Sequence, residues 1–303
     1  MAEDSKYREL KGKAHGHRPC LQFAFCLLVL IIASCSRPGA QPARPAIPQR
    51  IISVVPSATE TLFSLGCGSR IIAVGEYDRV PPEFGERPRI GGLLDPNIEK
   101  IIELKPDLVV TYGTQDLLQG RLRALGIRLY PFMHGDVDHT LQFMLDLGAT
   151  VGAEDQARDI VARIRKTFDE IRANAPAVHP KVLLVHNRSA GSLGSSYTIG
   201  SQAFQHQLIA IAGGVNIFGD VDKEALQPSV EEIIVRAPEI IIETLAPPVS
   251  DAAAVQRRAD WQALTNLPAV KNNRTYILAE DYMLLPGPRL DVAARRFAEI
   301  IGH

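Results

Sequence analysis

EDQARDIVARIRKTFDEIRAN, residues 154–174, is the longest uninterrupted helical pattern outside the apolar stretch near the N-terminus. Ala157, Ile160, Val161, Ile164, Phe168 and Ile171 recur at steps of three and four, which lines one face of an α-helix. Pro176 and Pro180 close it. At 1.5 Å per residue it would span about 30 Å, the width of a small domain. Periodicity alone leaves two readings open, an ordinary amphipathic surface helix or a joint between two bodies. The flanking sequence separates them.

On the N-terminal side, β-branched runs at 51–55 (IISVV), 70–74 (RIIAV), 107–112 (DLVVTY) and 127–132 (IRLYPF) alternate with helical patterns at 57–65, 98–104, 115–125 and 137–151. On the C-terminal side the alternation resumes, with strands expected at 181–186, 239–244 and 274–279 and helices at 201–211, 230–235 and 290–301. Such alternation predicts parallel-rich sheets with helices on their faces. The expected fold class is therefore α/β: two α/β lobes joined by one long rigid helix.

The two sides also share a repeat. DPNIEKIIELKPDLVV (95–110) aligns without gaps on QPSVEEIIVRAPEIII (227–242), pairing Pro96 with Pro228, Glu99 with Glu231, Ile101 with Ile233 and Pro106 with Pro238. A short helix, a proline stop and a buried strand would generate part of this likeness. Nothing in that pattern demands glutamate at one helix position twice, so each lobe is expected to present an equivalent exposed carboxylate.

A net charge of -1 leaves no basic surplus for neutralising phosphates, so nucleic-acid binding is not expected. Residues 21–33 (LQFAFCLLVLIIA) follow Lys11, Lys13 and Arg18 and are too short for a comfortable membrane span, but have the length of a signal-peptide apolar region. Ile32-Ala33-Ser34-Cys35 resembles a bacterial lipobox, in which cleavage before Cys35 exposes it for lipidation; an uncleaved signal anchor is the alternative. Residues 36–49 (SRPGAQPARPAIPQ) read as a tether holding the folded part off a membrane. Of four cysteines, Cys67 alone would then remain, so no intramolecular disulfide is expected. The expected organisation is a signal segment over 1–35, the tether over 36–49, a first lobe over 50–152, the linking helix over 153–176 and a second lobe over 177–303.

The segments IISVVPSATE (51–60), SLG (64–66), IEKI (98–101), KPDLVV (105–110), AGGVNIF (212–218) and GPR (287–289) resemble, in that order, the iron-siderophore and cobalamin class of ABC-transporter substrate-binding proteins. The resemblance covers residues 50–303. It implies a ligand cleft between the lobes, a lipid-anchored monomer on the periplasmic side of a bacterial envelope, and delivery of a small molecule to a permease dimer. Glu99 and Glu231 match the two carboxylates that meet arginines on the permease subunits, an arrangement favouring encounter rate and register. Tyr77, Tyr197 and the segment Asp281, Tyr282, Met283, Leu284 and Leu285 match ligand-contacting positions of the cobalamin binders. Leu93 stands where those proteins can carry a tryptophan. The implied ligand is a corrinoid such as cobalamin, with a ferric siderophore or haem as the alternative; Arg188 and Arg289 could serve an anionic siderophore.

Catalysis is the competing class, and its signatures are missing: there is no Gly-x-Ser-x-Gly elbow, Walker loop or His-Glu-x-x-His. Cys67, between two glycines, is expected to be a packed thiol. Gly191, Gly194 and Gly200 lack dinucleotide-binding spacing and suit a flexible cleft loop. His134 and His186 both follow strands and could face the cleft, but two histidines without a third ligand make a poor metal site. No cofactor or metal is expected, and no enzymatic activity.

Overall fold

In the first sheet β1 (Ile51–Ser53) lies between β2 (Ile71–Val74) and β3 (Leu108–Tyr112), and β4 (Arg128–Phe132) adds beyond β3, every pair parallel. The computed structural model describes residues 46–186 and 188–302; the signal segment, Cys35 and most of the tether lie outside the described residues. The connections are helical: α1 (Pro56–Ser64), α2 (Ile98–Glu103) and α3 (Asp116–Ala124), with α4 (Val137–Val151) after β4. Ile51, Ile52, Leu108, Val109 and Val110 are all fully buried. That is why these runs read as unbroken β-branched stretches without alternation: parallel strands are covered on both faces.

α5 (Glu154–Ala173) then leads to the second sheet, ordered β10-β9-β5-β6-β8. Here β5 (Lys181–His186), β9 (Ile240–Thr244) and β10 (Thr275–Leu278) are parallel. β6 (Tyr197–Ile199) and β8 (Ala225–Leu226) are antiparallel additions, and β7 (Val215–Asn216) pairs the start of β5. The remaining helices are α6 (Phe204–Ile211), α7 (Val230–Arg236), α8 (Asp251–Gln262), α9 (Pro268–Lys271) and α10 (Leu290–Gly302).

The three short strands, α8 and the four-residue α9 were not expected. Strands of two or three residues are too brief to show a period, and α8 buries only Trp261 fully, so it carries no apolar stripe. α6 begins at Phe204 rather than at 201, because the backbone amides of Ser201 and Gln202 donate to the Val221 and Lys223 carbonyls instead of entering a helix.

The internal repeat holds at the level of backbone detail. α2 and α7 are followed by left-handed residues at matched positions, Lys105 (φ 48) and Ala237 (φ 49), each just before the matched prolines. Asp107 accepts from the amides of Gln49 and Arg50 at 2.7 and 2.9 Å, while Glu239 accepts from the amide of Lys181 at 2.8 Å, so each repeat uses a carboxylate to secure the start of the neighbouring strand. β1 pairs β3 in the register in which β5 pairs β9, Ile51 with Leu108 and Val182 with Ile240.

α5 buries Ala157, Val161, Ile164, Thr167, Phe168 and Ile171, close to the stripe read from sequence. α4 covers it from the first lobe, and α10 and α6 from the second. Arg163 bonds Asp291 and the Pro288 carbonyl, and Arg295 bonds Thr167 and Glu170, fastening the spine to the second lobe. One continuous apolar core runs through both lobes and the buried face of α5, and a second cluster around Trp261 and Phe218 fills the far face of the second sheet.

Candidate functional site

Parallel strands deliver their following loops to one edge, and in both lobes the carboxyl ends of the strands face the same cleft. On the first lobe, β2 runs into the loop carrying Tyr77, Asp78 and Arg79. Asp78 is buried; its Oδ2 accepts from the Thr59 hydroxyl at 2.7 Å and the Gly75 amide at 2.8 Å, and Arg89 donates to the carbonyls of Gly75 and Asp78. Burial raises the Asp78 carboxyl above its ordinary value, against the opposing Thr59 hydrogen bond. This anchorage turns the neighbours Tyr77, 77% exposed, and Arg79 outward.

On the second lobe, β10 leads into a tight turn at Asp281–Met283, and Gly287-Pro288-Arg289 opens α10. The two lobes enclose a cleft cavity of about 670 Å3. α1 contributes Pro56, Glu60, Phe63 and Ser64; the β2 loop contributes Tyr77, Arg79, Val80, Pro81 and Pro82. From the second lobe come Ala246 and Pro247 after β9, and Asp281, Leu284, Leu285 and Arg289. Most of the lining is therefore proline, aliphatic or aromatic.

Its charged groups form one chain across the cleft. Arg289 grips Glu60 through Nε and Nη2, the second bond 3.0 Å long, and gives Nη1 to Asp281 at 2.8 Å. Arg79 meets the other oxygen of Asp281 at 2.7 Å. Two of these links, Glu60 to Arg289 and Arg79 to Asp281, join opposite lobes. Burial works to raise the Asp281 carboxyl, but the Arg289 hydrogen bond and the two arginine charges outweigh it and hold it below the usual aspartate range. Arg289 is correspondingly raised, burial being overcome by its bonds to Glu60 and Asp281. At the other flank His134 Nδ1 lies 2.9 Å from Glu224, and Gln207 accepts from the Val137 amide at 2.8 Å, so the lobes touch there as well.

Arg188 is not in the cleft. It is fully buried, bonding Glu243 through Nε and Nη2, Asp260 through Nη1 at 2.7 Å, and the carbonyls of Arg257 and Ser189. A guanidinium has five N–H donors, and all are committed. Arg257 and the Trp261 indole complete the shell of Glu243. Asp260, brought down to about 2 chiefly by its hydrogen bond from Arg188, also accepts from the Gly191 amide. The network therefore fixes the glycine-containing loop that precedes β6. Sequence placed Arg188 as a candidate for an anionic ligand; a side chain without exposure or a free donor cannot take that part.

His186 also points into the lobe. The Thr244 hydroxyl donates to the Val185 carbonyl, so His186 Nδ1–H is the donor to Thr244, and burial pushes the imidazole down to about 4. Among the described residues no group of three or more histidine, cysteine, aspartate or glutamate side chains is placed to hold a metal ion. Cys67 is buried and accepts from Arg70 at 2.9 Å, and burial raises its thiol.

Of the residues singled out from sequence, Tyr77, Asp281, Leu284 and Leu285 come together in the cavity. Leu93 is half-buried against the first lobe's core, while its neighbour Leu94 is 91% exposed. Tyr197 opens β6 half-exposed, outside the cavity lining. Tyr282 packs on the core with the Arg289 guanidinium 5.5 Å from its ring centre, and Met283 is fully buried, so its side chain faces the core rather than the cleft. Sequence reading missed Glu60, Arg79, Phe63 and the Val80-Pro81-Pro82 wall. The only signal was position, since each lies one turn or one loop beyond a strand's carboxyl end.

Glu99 and Glu231 occupy the second positions of α2 and α7, behind the caps Asn97 and Ser229. Each helix runs back along the sheet toward the start of the next parallel strand, so its N-terminus lies at the cleft side. The Glu99 side chain is 82% exposed, with Arg121 4.0 Å away, and Glu231 is exposed. Beside them Ile102 and Ile234 are exposed at matched positions while Ile101 and Ile233 are buried.

A family model described as periplasmic binding protein matches residues 51–282. The vitamin B12-binding protein of Vibrio cholerae serotype O1 is 27% identical over 269 residues, covering 87% of this chain and 94% of that protein. A cobalamin-binding protein of Halobacterium salinarum is 27% identical, covering 88% and 74%. Among solved structures, the periplasmic vitamin B12 binding protein of Vibrio cholerae superposes with a TM-score of 0.71 at 26% identity, covering 85% of this chain and 98% of that one. The periplasmic haem binding protein of Vibrio cholerae superposes with a TM-score of 0.74 at 19% identity, covering 83% and 98%, a likeness of fold.

Proposed function

The chain belongs to the periplasmic binding protein family, and from that premise we propose that it captures a corrinoid of the cobalamin class in the inter-lobe cleft and delivers it to an ABC permease, catalysing nothing. The observation that carries this is the cleft itself: an apolar and aromatic wall drawn from both lobes, closed on one side by two carboxylates and two guanidiniums that neutralise one another. A broad, largely apolar macrocycle suits such a wall, and its amide rim can use hydroxyls and residual donors without needing a formal counter-charge. The relatives named for vitamin B12 and cobalamin, at 27% identity over most of their length, support the same reading. Haem or a ferric siderophore is the second reading, favoured by the fold shared with haem binders. Against it, Arg188 is sealed in the core and Arg289 is held by Glu60 and Asp281. Calorimetric titration with cyanocobalamin, haem and a ferric hydroxamate tests the choice: corrinoid binding at micromolar or tighter affinity with little heat from the others supports it, and haem or siderophore binding without corrinoid binding overturns it.

Docking would use Glu99 and Glu231, one per lobe, against the two halves of the permease. The protein would act as a monomer on the periplasmic side, held to the membrane by lipid on Cys35, needing no cofactor. A Cys35→Ser variant should leave the membrane fraction; its retention there would refute the lipid anchor. No helix among the described residues is long and apolar enough to cross a membrane.

A further inference from the structure

Apart from their glutamates, α2 and α7 share a second exposed residue. Along residues 97–103 and the aligned 229–235, Ile101 and Ile233 are buried in both copies and serve packing. Most exposed positions have diverged: the caps are Asn97 and Ser229, Lys100 stands against Glu232, and Glu103 against Val235. The exceptions are Glu99, matched by Glu231, and Ile102, 38% exposed, matched by Ile234, 45% exposed. A single exposed isoleucine needs no explanation. One retained at the same position of both copies, while its exposed neighbours drift, marks a surface task performed twice. We propose that Ile102 and Ile234 are paired apolar anchors, one per lobe, that seat against the two halves of the ABC permease beside Glu99 and Glu231.

In each helix the isoleucine follows the glutamate by three residues, so the two share a face. Helical side chains lean toward the N-terminus, which tips each isoleucine toward its glutamate and the cleft-side end of the helix. Neither isoleucine lines the cleft cavity, so contact with cargo does not account for them. The two residue types divide the work of docking. Exposed carboxylates steer encounter and set register but are weakened by salt, whereas apolar side chains sealed from water at the centre of a contact carry affinity. The second lobe offers the larger apolar step, because Val235, 82% exposed, stands four residues beyond Glu231 where the first lobe has Glu103. Two related steps, one per lobe, fit a partner built of two like halves. The inference rests on the docking through Glu99 and Glu231 proposed above, and on no particular cargo.

The test is binding of the purified protein to the permease dimer whose uptake is lost in cells lacking this protein, reconstituted in lipid nanodiscs, at 0.1 M and 1 M salt. Ile102→Ser/Ile234→Ser should bind at least about tenfold more weakly than wild type at both salt concentrations. Ile102→Leu/Ile234→Leu, which keeps the apolar volume, should stay within about threefold. Glu99→Gln/Glu231→Gln should bind more weakly at 0.1 M, with its deficit fading at 1 M, where the screening length falls to about 3 Å. A thermal melt verifies folding; should the serine variant melt early, Ile102→Thr/Ile234→Thr keeps the branched shape and reads the same difference. Binding of the folded serine variant within about twofold of wild type overturns the proposal. So does a wild-type dimer in light scattering that the serine variant abolishes, since the isoleucines would then serve a second copy of this chain. The glutamate variant separates the two claims: if it weakens docking and the serine variant does not, the isoleucine inference alone fails, and if neither weakens it, the docking face itself is misplaced.

Discussion

Arg188 shows how far a residue's chemistry depends on partners distant in sequence. Glu243 and Asp260 lie 55 and 72 positions away, and no local pattern announces that the three will meet. Removing one member of a buried ion network leaves the others uncompensated, which is far more costly than the network's net contribution. Arg188→Met should therefore destabilise the protein by about 3–5 kcal/mol in urea unfolding, and a loss under about 1 kcal/mol would show that the network is hydrated or dispensable. His186 gives a pH signature. Its folded value is lowered to about 4, whereas an unfolded histidine titrates near 6.5, so the unfolded state binds the extra proton first. The stabilising effect is complete above about pH 6.5 and drains away as pH falls toward 4, by at most about 3 kcal/mol. His186→Gln should flatten that part of the stability–pH curve; an unchanged slope would place the titration elsewhere.

The elements were more legible than the contacts. The spine, the seven main strands and the glutamate-bearing helices follow from apolar period, β-branched runs and proline stops, all local properties. Strands β6, β7 and β8 and helix α8 escaped because short or polar segments are held by tertiary pairing rather than by pattern. The repeat tested between elements was visible as aligned letters, but its matched left-handed residues at Lys105 and Ala237 were not, since neither is glycine. At this scale Glu99→Ala/Glu231→Ala should keep ligand affinity within about twofold while abolishing transport, the signature of register lost at the docking face. A loss of ligand affinity would mean the carboxylates serve the cleft. The spine invites a second test. A proline at Ile164 would break the spine between the lobes. Ile164 is fully buried in the core shared by both lobes, so the substitution should cost more than the roughly 3 kcal/mol of an interior proline and lower global stability. Lys166→Pro, at an exposed position of the same helix, removes no core side chain and should cost only the roughly 3 kcal/mol of the interior proline itself.

At the scale of the molecule, the lobes are joined by a helix packed from both sides and by ion pairs at the cleft, an arrangement that resists wide hinging. Ligand binding should change the radius of gyration by less than about 1 Å in solution scattering, as in other pre-organised sites; a large compaction would contradict the stiff spine. The position of the cleft was implied by the α/β alternation, because loops after parallel strands converge on one edge. Its balance of charge was not, since Glu60 and Arg289 come together from opposite ends of the folded chain, 229 residues apart. The central claim is that this apolar, charge-neutral cleft holds a corrinoid. Calorimetric titration of the wild-type protein with cyanocobalamin tests it most directly: the account predicts one site of micromolar or tighter affinity, and an absence of binding while haem or a ferric siderophore binds in the same cleft would contradict it.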